Sequence, residues 1–214
     1  NSFGGGPSGI DGHATAAHMI AVKIVPTRYN GAGCFAAILK NGEVKLWGSN
    51  GCMYPSPPTS AQSGVVDITT LAKDDGGTSV YAYAALKDDG SVVVWGSHGT
   101  GGTDPSFADP GITSGVTKIF SNDHAFAALK SDGSVQVWGD STDPGITSGV
   151  VEIFSTPKAF AALKSDGSVV AWGDSGYGGT DPGITSGVTK IFSSERAFAA
   201  LKSDGSVVAW GSSS

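Results

Sequence analysis

Positive charge is what this sequence has least of: 13 Lys and Arg stand against 19 Asp and Glu, and no two basic residues are adjacent. A protein that tracks a phosphate backbone gathers Lys and Arg into a patch or stripe, so the sequence carries no nucleic-acid footprint. The net charge of −6 also disfavours attraction to an anionic membrane surface. Apolar runs fall far short of the roughly 18 residues that a membrane-spanning helix needs. No stretch combines a 3.6-residue apolar period with helix caps, which argues against helices of any length. The G-x-S-x-G elbow, the H-E-x-x-H helix, the phosphate loop and the dinucleotide fingerprint are all missing from the sequence. It opens on Asn1 with neither Met nor signal peptide, as expected of a processed form or a fragment.

Metal chemistry finds little support. His13, His18, His98 and His124 stand in unrelated contexts, and the five-residue gap between the first two is poor ligand spacing, so they read as solvated histidines. Asp104, Asp109, Asp140, Asp143, Asp174 and Asp181 lie in Gly- and Pro-rich connectors, where Asp is mainly turn chemistry. "GYGGTD", ending at Asp181, echoes a Gly-rich calcium repeat but occurs once, and a calcium loop needs several oxygens converging. No cofactor is expected. Cysteine is nearly absent. Cys34 and Cys52 suit one disulfide in an oxidising compartment, a reading favoured by the exposed-looking "SNGCMYP" loop, although two buried thiols would give the same count.

What the sequence has in excess is glycine, 33 residues, and repetition. An aromatic residue stands 12 positions before each of the five tryptophans: Phe35 and Trp47, Tyr83 and Trp95, Phe126 and Trp138, Phe160 and Trp172, Phe198 and Trp210. Between them runs one phrase, "FAALKSDGSVVAW" in its commonest form, with Asn-Gly or Asp-Gly at its middle. Two apolar arms around such a dipeptide predict a β-hairpin closed by a type I′ turn. Both faces of the arms are apolar, so packing is expected on both sides. The constant register of aromatic and Trp marks these ten residues as core anchors. Upstream of each hairpin a further strand is expected at "AVKI", "VVDI", "VTKI", "VVEI" and "VTKI", ending at Ile24, Ile68, Ile119, Ile153 and Ile191. The connectors read as turns, with one short outer strand at "GITSG".

The pattern V-x-x-I…F-A-A-L-x-x-D-G-x-V-x-x-W-G resembles the regulator-of-chromosome-condensation repeat, whose members form β-propellers. The likeness runs from residue 21 onward and implies a propeller-like fold. That family usually has His before the A-L segment, in units near 50 residues that number seven; here Phe126, Phe160 or Phe198 takes the His place, and five shorter units follow one another. Its exchange-factor activity is not implied.

The expected architecture is all-β: five tandem repeats of three to four strands, β-propeller-like, as a closed ring or an open stack. The units run near 21–64, 65–115, 116–149, 150–187 and 188–214, and residues 1–20 form a Gly/Ala-rich tail or a strand donated to a neighbour. Near-identical units present one surface several times, whereas an active site needs unlike residues converging, so the chain reads as non-enzymatic. The expected role is an extracellular or cell-surface structural module that assembles with copies of itself. The alternative is a monomeric propeller that binds a protein or glycan through its loop face, where Tyr54 and Tyr177 are the candidate contacts.

Overall fold

A computed structural model of the chain describes residues 20–26, 34–48, 56–74, 79–96 and 110–212. The protein is all-β, with five antiparallel three-stranded sheets in tandem. Sheet 1 holds β1 (Ala21–Pro26), β2 (Cys34–Leu39) and β3 (Val44–Gly48). Sheet 2 holds β4 (Val65–Asp74), β5 (Ser79–Lys87) and β6 (Val92–Gly96). Sheet 3 holds β7 (Val116–Ser121), β8 (Ala125–Lys130) and β9 (Val135–Gly139). Sheet 4 holds β10 (Val150–Ser155), β11 (Ala159–Lys164) and β12 (Val169–Gly173). Sheet 5 holds β13 (Val188–Ser193), β14 (Ala197–Lys202) and β15 (Val207–Gly211). Helix is limited, among the described residues, to single 3₁₀ turns at Thr59–Ala61 and Ser175–Tyr177.

Each sheet is the Trp hairpin plus the strand that precedes it. Phe126 lies opposite Trp138 in the β8–β9 register, and the same pairing recurs in the other four sheets. The hairpin turn differs from the sequence expectation. Gly133 N–H donates to Lys130 O at 2.9 Å, and Lys130 N–H donates to Ser134 O at 3.0 Å, which makes a three-residue loop. A type I′ turn needs two positive φ angles, but Asp132 stays negative and only Gly133 is positive, at +76°. The Asp132 carboxylate explains the choice, since its Oδ1 accepts from the Ser134 backbone at 2.9 Å and from its hydroxyl at 2.6 Å. The same Asp–Ser closure stands at Asp89, Asp166 and Asp204.

The expected outer strand at "GITSG" is also absent. Residues 111–115, 145–149 and 183–187 run without strand pairing. Their backbone is satisfied otherwise: the Ile112, Ile146 and Ile184 carbonyls accept from Val92, Val135 and Val169 at 3.1, 3.0 and 2.9 Å. Packing these isoleucines against the sheet edge, Ile112 and Ile146 buried and Ile184 partly so, replaces the pairing that a fourth strand would have made.

The core lies between sheets. Ala125, Ala127, Leu129 and Val135 on one face of sheet 3 pack against Val150, Ile153, Phe160 and Trp172 on the facing side of sheet 4. Equivalent clusters join sheets 1 and 2, 2 and 3, and 4 and 5. Among the described residues no cluster joins sheet 5 back to sheet 1, so the sheets form an open propeller-like stack. Backbone hydrogen bonds stitch each step. The hairpin glycine carbonyls of Gly42, Gly90, Gly133 and Gly167 accept from Val65, Val116, Val150 and Val188, the first residues of the next sheet, at 3.0–3.2 Å.

Candidate functional site

An open stack has two ends, and both are apolar here. Ile24, Phe35 and Trp47 on the outer face of sheet 1 are 57%, 40% and 40% exposed. Their equivalents in sheet 4, Ile153, Phe160 and Trp172, are buried under sheet 3. At the other end Val207 is 63% exposed and Phe192 50%, whereas Val169, which matches Val207, is 3% exposed under sheet 5. The sequence cannot distinguish these copies, because the same residue type is core inside the stack and surface at its end. The unpaired backbone follows the same logic: a Cβ on Gly205 would meet nothing within 4 Å, whereas one on Gly42, Gly90, Gly133 or Gly167 would strike the next sheet.

A second feature lies along the edge where β8, β11 and β14 begin. His124, Lys158 and Arg196 occupy one repeat position, two residues before Phe126, Phe160 and Phe198. Their carbonyls accept from Asp140, Asp174 and Ser212 at 2.9, 3.0 and 3.0 Å. The result is a row of His, Lys and Arg side chains beside a row of mostly acidic residues, with His124 Nδ1 3.6 Å from Asp140 Oδ2. Between sheets 3 and 4 this edge opens into a hollow of about 340 Å³ lined by His124, Asp140, Ser141, Thr142, Lys158 and Asp174. Sequence reasoning assigned nothing to this hollow; the signal available was the unequal length of the connectors.

The residues singled out from the sequence fall as follows. Tyr83, Phe126, Phe160 and Phe198 are buried and stack on Trp95, Trp138, Trp172 and Trp210 with ring centroids 5.2–5.4 Å apart. Phe35 and Trp47, as given above, are half exposed. Cys34 is buried and disulfide-bonded, while Cys52 lies outside the described residues, as do Tyr54, His13, His18, His98, Asp104 and Asp109. Tyr177 sits in the connector between sheets 4 and 5, its ring 5.2 Å from both Lys158 Nζ and the Arg196 guanidinium. Asp143, Asp174 and Asp181 cap their own turns, accepting from Gly145, Gly176 and Gly183 at 2.8–2.9 Å. Among the described residues no three His, Cys, Asp or Glu side chains converge as a metal site would require, and no helix is long and apolar enough to cross a membrane.

No family model matches the chain, and no curated protein matches it significantly. Solved structures do. The chain is similar to the entire ectodomain of the receptor kinase CR4 from Physcomitrella patens, at 18% identity and a TM-score of 0.59, covering 88% of this chain and 52% of that one. It is similar to human WBSCR16 at 18% identity and a TM-score of 0.50, covering 83% and 59%. Yeast RCC1 (Prp20) bound to Kap60 matches more weakly, at 17% identity and a TM-score of 0.48, covering 79% and 46%. At these identities the likeness is one of fold, and the first two structures carry it. The chain spans about half the length of these three structures.

Proposed function

We propose that this chain is a non-enzymatic interaction module whose first partner is another copy of itself, with sheet 5 of one copy stacking on sheet 1 of the next. The observation that carries this reading is the identity of the two exposed end faces. The outer face of sheet 1 presents Ile, Phe and Trp, and that of sheet 5 presents Ala199, Leu201, Val207 and Phe192; these are the two halves of an interface the chain already makes four times internally. Gly205 O is free to accept from Ala21 N–H of the next copy, as Gly133 O accepts from Val150. Such a contact is head-to-tail, so it builds a filament, or a ring if the rotation closes. The disulfide at Cys34 supports an oxidising compartment, hence the cell surface or the exterior. A monomer that binds a protein or glycan at the edge carrying His124, Lys158 and Arg196 is the second reading, favoured by the hollow between sheets 3 and 4.

Light scattering over a concentration series decides between them. The mass is expected to grow with concentration and to fall back to 21.4 kDa in the Val207→Glu variant, which puts a charge into the joint. A wild-type chain that stays monomeric throughout removes the self-association reading.

A further inference from the structure

A bulge marks the same place in the first strand of every sheet. Register slips between Ala21 and Lys23, Val65 and Asp67, Val116 and Lys118, Val150 and Glu152, and Val188 and Lys190. The residue after each bulge pairs with one hairpin position: Ile38, Leu86, Leu129, Leu163 or Leu201. In chain order the residues after the bulge are Lys23, Asp67, Lys118, Glu152 and Lys190, so the charge alternates from sheet to sheet. Every internal step joins opposite signs. Five is an odd number of units, however, and the series both begins and ends on lysine.

The lysines at this position reach forward along the stack. Lys23 Nζ meets Asp67 Oδ1 of the next sheet at 2.5 Å, with both side chains half exposed. Among the described residues this is the one step that closes to an ion pair; the others keep the alternation at the rim. Lys118 Nζ lies 4.7 Å from the centroid of the Phe120 ring, and Phe120 packs into the core that joins sheets 3 and 4. Lys190 Nζ lies over Phe192 in the same way, at 4.9 Å. Phe192 belongs to the outer face of sheet 5, so Lys190 is exposed at the rim of that end face.

We propose that Lys190 sets the strength of the end-face joint, because stacking brings it against Lys23 of the next copy and makes that joint the one like-charge step of the array. This rests on the reading that copies stack, and it names the residue that limits the stacking. Asp67 softens the repulsion without reversing it, since it lies one sheet further from the joint than Lys23. Like charges brought together at an interface oppose association and discriminate between partners. The outer face of sheet 5 therefore holds another copy more weakly than it would hold a sheet with a carboxylate in the place of Lys23.

The test isolates a single joint. Ile24→Glu blocks the sheet 1 end of one chain and Val207→Glu blocks the sheet 5 end of another, so a mixture of the two can form only a one-to-one pair. Its Kd is measured by sedimentation at low salt, with and without Lys190→Glu in the first chain. Exposed charge pairs shift an equilibrium by up to about fivefold in either direction, so replacing repulsion by attraction is expected to tighten Kd about 2- to 30-fold. The sign is informative. The substitution makes a chain of net charge −6 more acidic, and repulsion between whole molecules predicts weaker binding. In roughly 1 M salt, where the Debye length is about 3 Å, the two Kd values should converge. Lys118→Glu, the same exchange at an internal step, should bring no gain. A Kd that Lys190→Glu leaves unchanged or weakens, a gain that Lys118→Glu reproduces, or a gap that high salt leaves intact overturns the proposal while end-face stacking stands. No pair with either form of the first chain up to about 1 mM overturns both.

Discussion

Gly133 and Gly205 occupy the same place in the same turn, and replacing each by alanine separates the turn's own demand from that of the neighbouring sheet. Their φ angles are +76° and +85°, and each N–H closes the turn on a lysine carbonyl, at 2.9 and 3.0 Å. An alanine forced into that left-handed region costs about 1–2 kcal/mol at either site. Beyond that they differ. A Cβ on Gly133 would lie 2.5 Å from Gly149 N and 3.0 Å from Val150 N, backbone atoms that cannot rotate aside; on Gly205 it meets nothing. Pushing that backbone away adds an overpacking term of about 1–3 kcal/mol. It also weakens the 3.0 Å bond from Val150 N–H to Gly133 O, worth about 1 kcal/mol. Gly205→Ala should thus lose about 1–2 kcal/mol and Gly133→Ala about 2–6 kcal/mol. Urea unfolding of both variants, at concentrations dilute enough to keep copies apart, measures the difference. Equal losses would refute the claim that the hairpin tip is clamped by the next sheet.

The aromatic anchors should divide the same way: Phe160→Ala, in a fully enclosed site, is expected to cost about 3–5 kcal/mol, and Phe35→Ala, on the open end, about 1 kcal/mol in a thermal melt. A loss at Phe35 as large as that at Phe160 would mean that sheet 1 is covered. Acid should weaken the turns. Asp89, Asp132, Asp166 and Asp204 are each held below the usual aspartate range, first by the hydroxyl of the serine two residues on, then by that serine's backbone N–H, with a nearby lysine adding attraction. Their folded pKa values are depressed, so the unfolded chain binds more protons there. The stability they contribute is whole above pH 3.8, the ordinary value, and is lost as pH falls through the folded values. Replacing all four by Asn should flatten the fall in urea midpoint between roughly pH 5 and pH 2, and an unchanged slope counts against the assignment.

The sheets were legible because three signals coincide in every copy: a constant 12-residue spacing of aromatic and Trp, a glycine midway, and apolar arms of strand length. Two local features were not. Asp-Gly suggests a type I′ turn because both residues tolerate positive φ, yet the serine that follows, as at Ser134, rewards a longer loop in which Asp132 keeps a negative φ and caps its own turn. The "GITSG" words look like a strand because of Ile and Thr, but Ile146 is buried as an anchor while its carbonyl binds the sheet edge. The end faces were illegible for a different reason, since exposure belongs to a residue's place in the stack and not to its identity. At the hollow, the four-residue difference between connectors stood in the sequence. Its meaning did not, because only the packed sheets show that Tyr177 and Gly178 bind Thr156 and Trp210 between sheets 4 and 5, while a hollow opens between sheets 3 and 4.

Among the described residues each sheet packs only on the one before and the one after, and the apolar cores of the joints are chemically alike. The face of sheet 3 that receives Val150, Ile153 and Phe160 has the same residue types as the face of sheet 4 that receives Val188, Ile191 and Phe198. Excising residues 150–187 would join Gly149 to Val188 within unchanged wording and rebuild a standard joint from the sheets on either side. Among the described residues no contact records how many units the array should contain. A gene rearrangement that drops or duplicates one unit changes the reach of the array by one step and leaves both of its ends as they were.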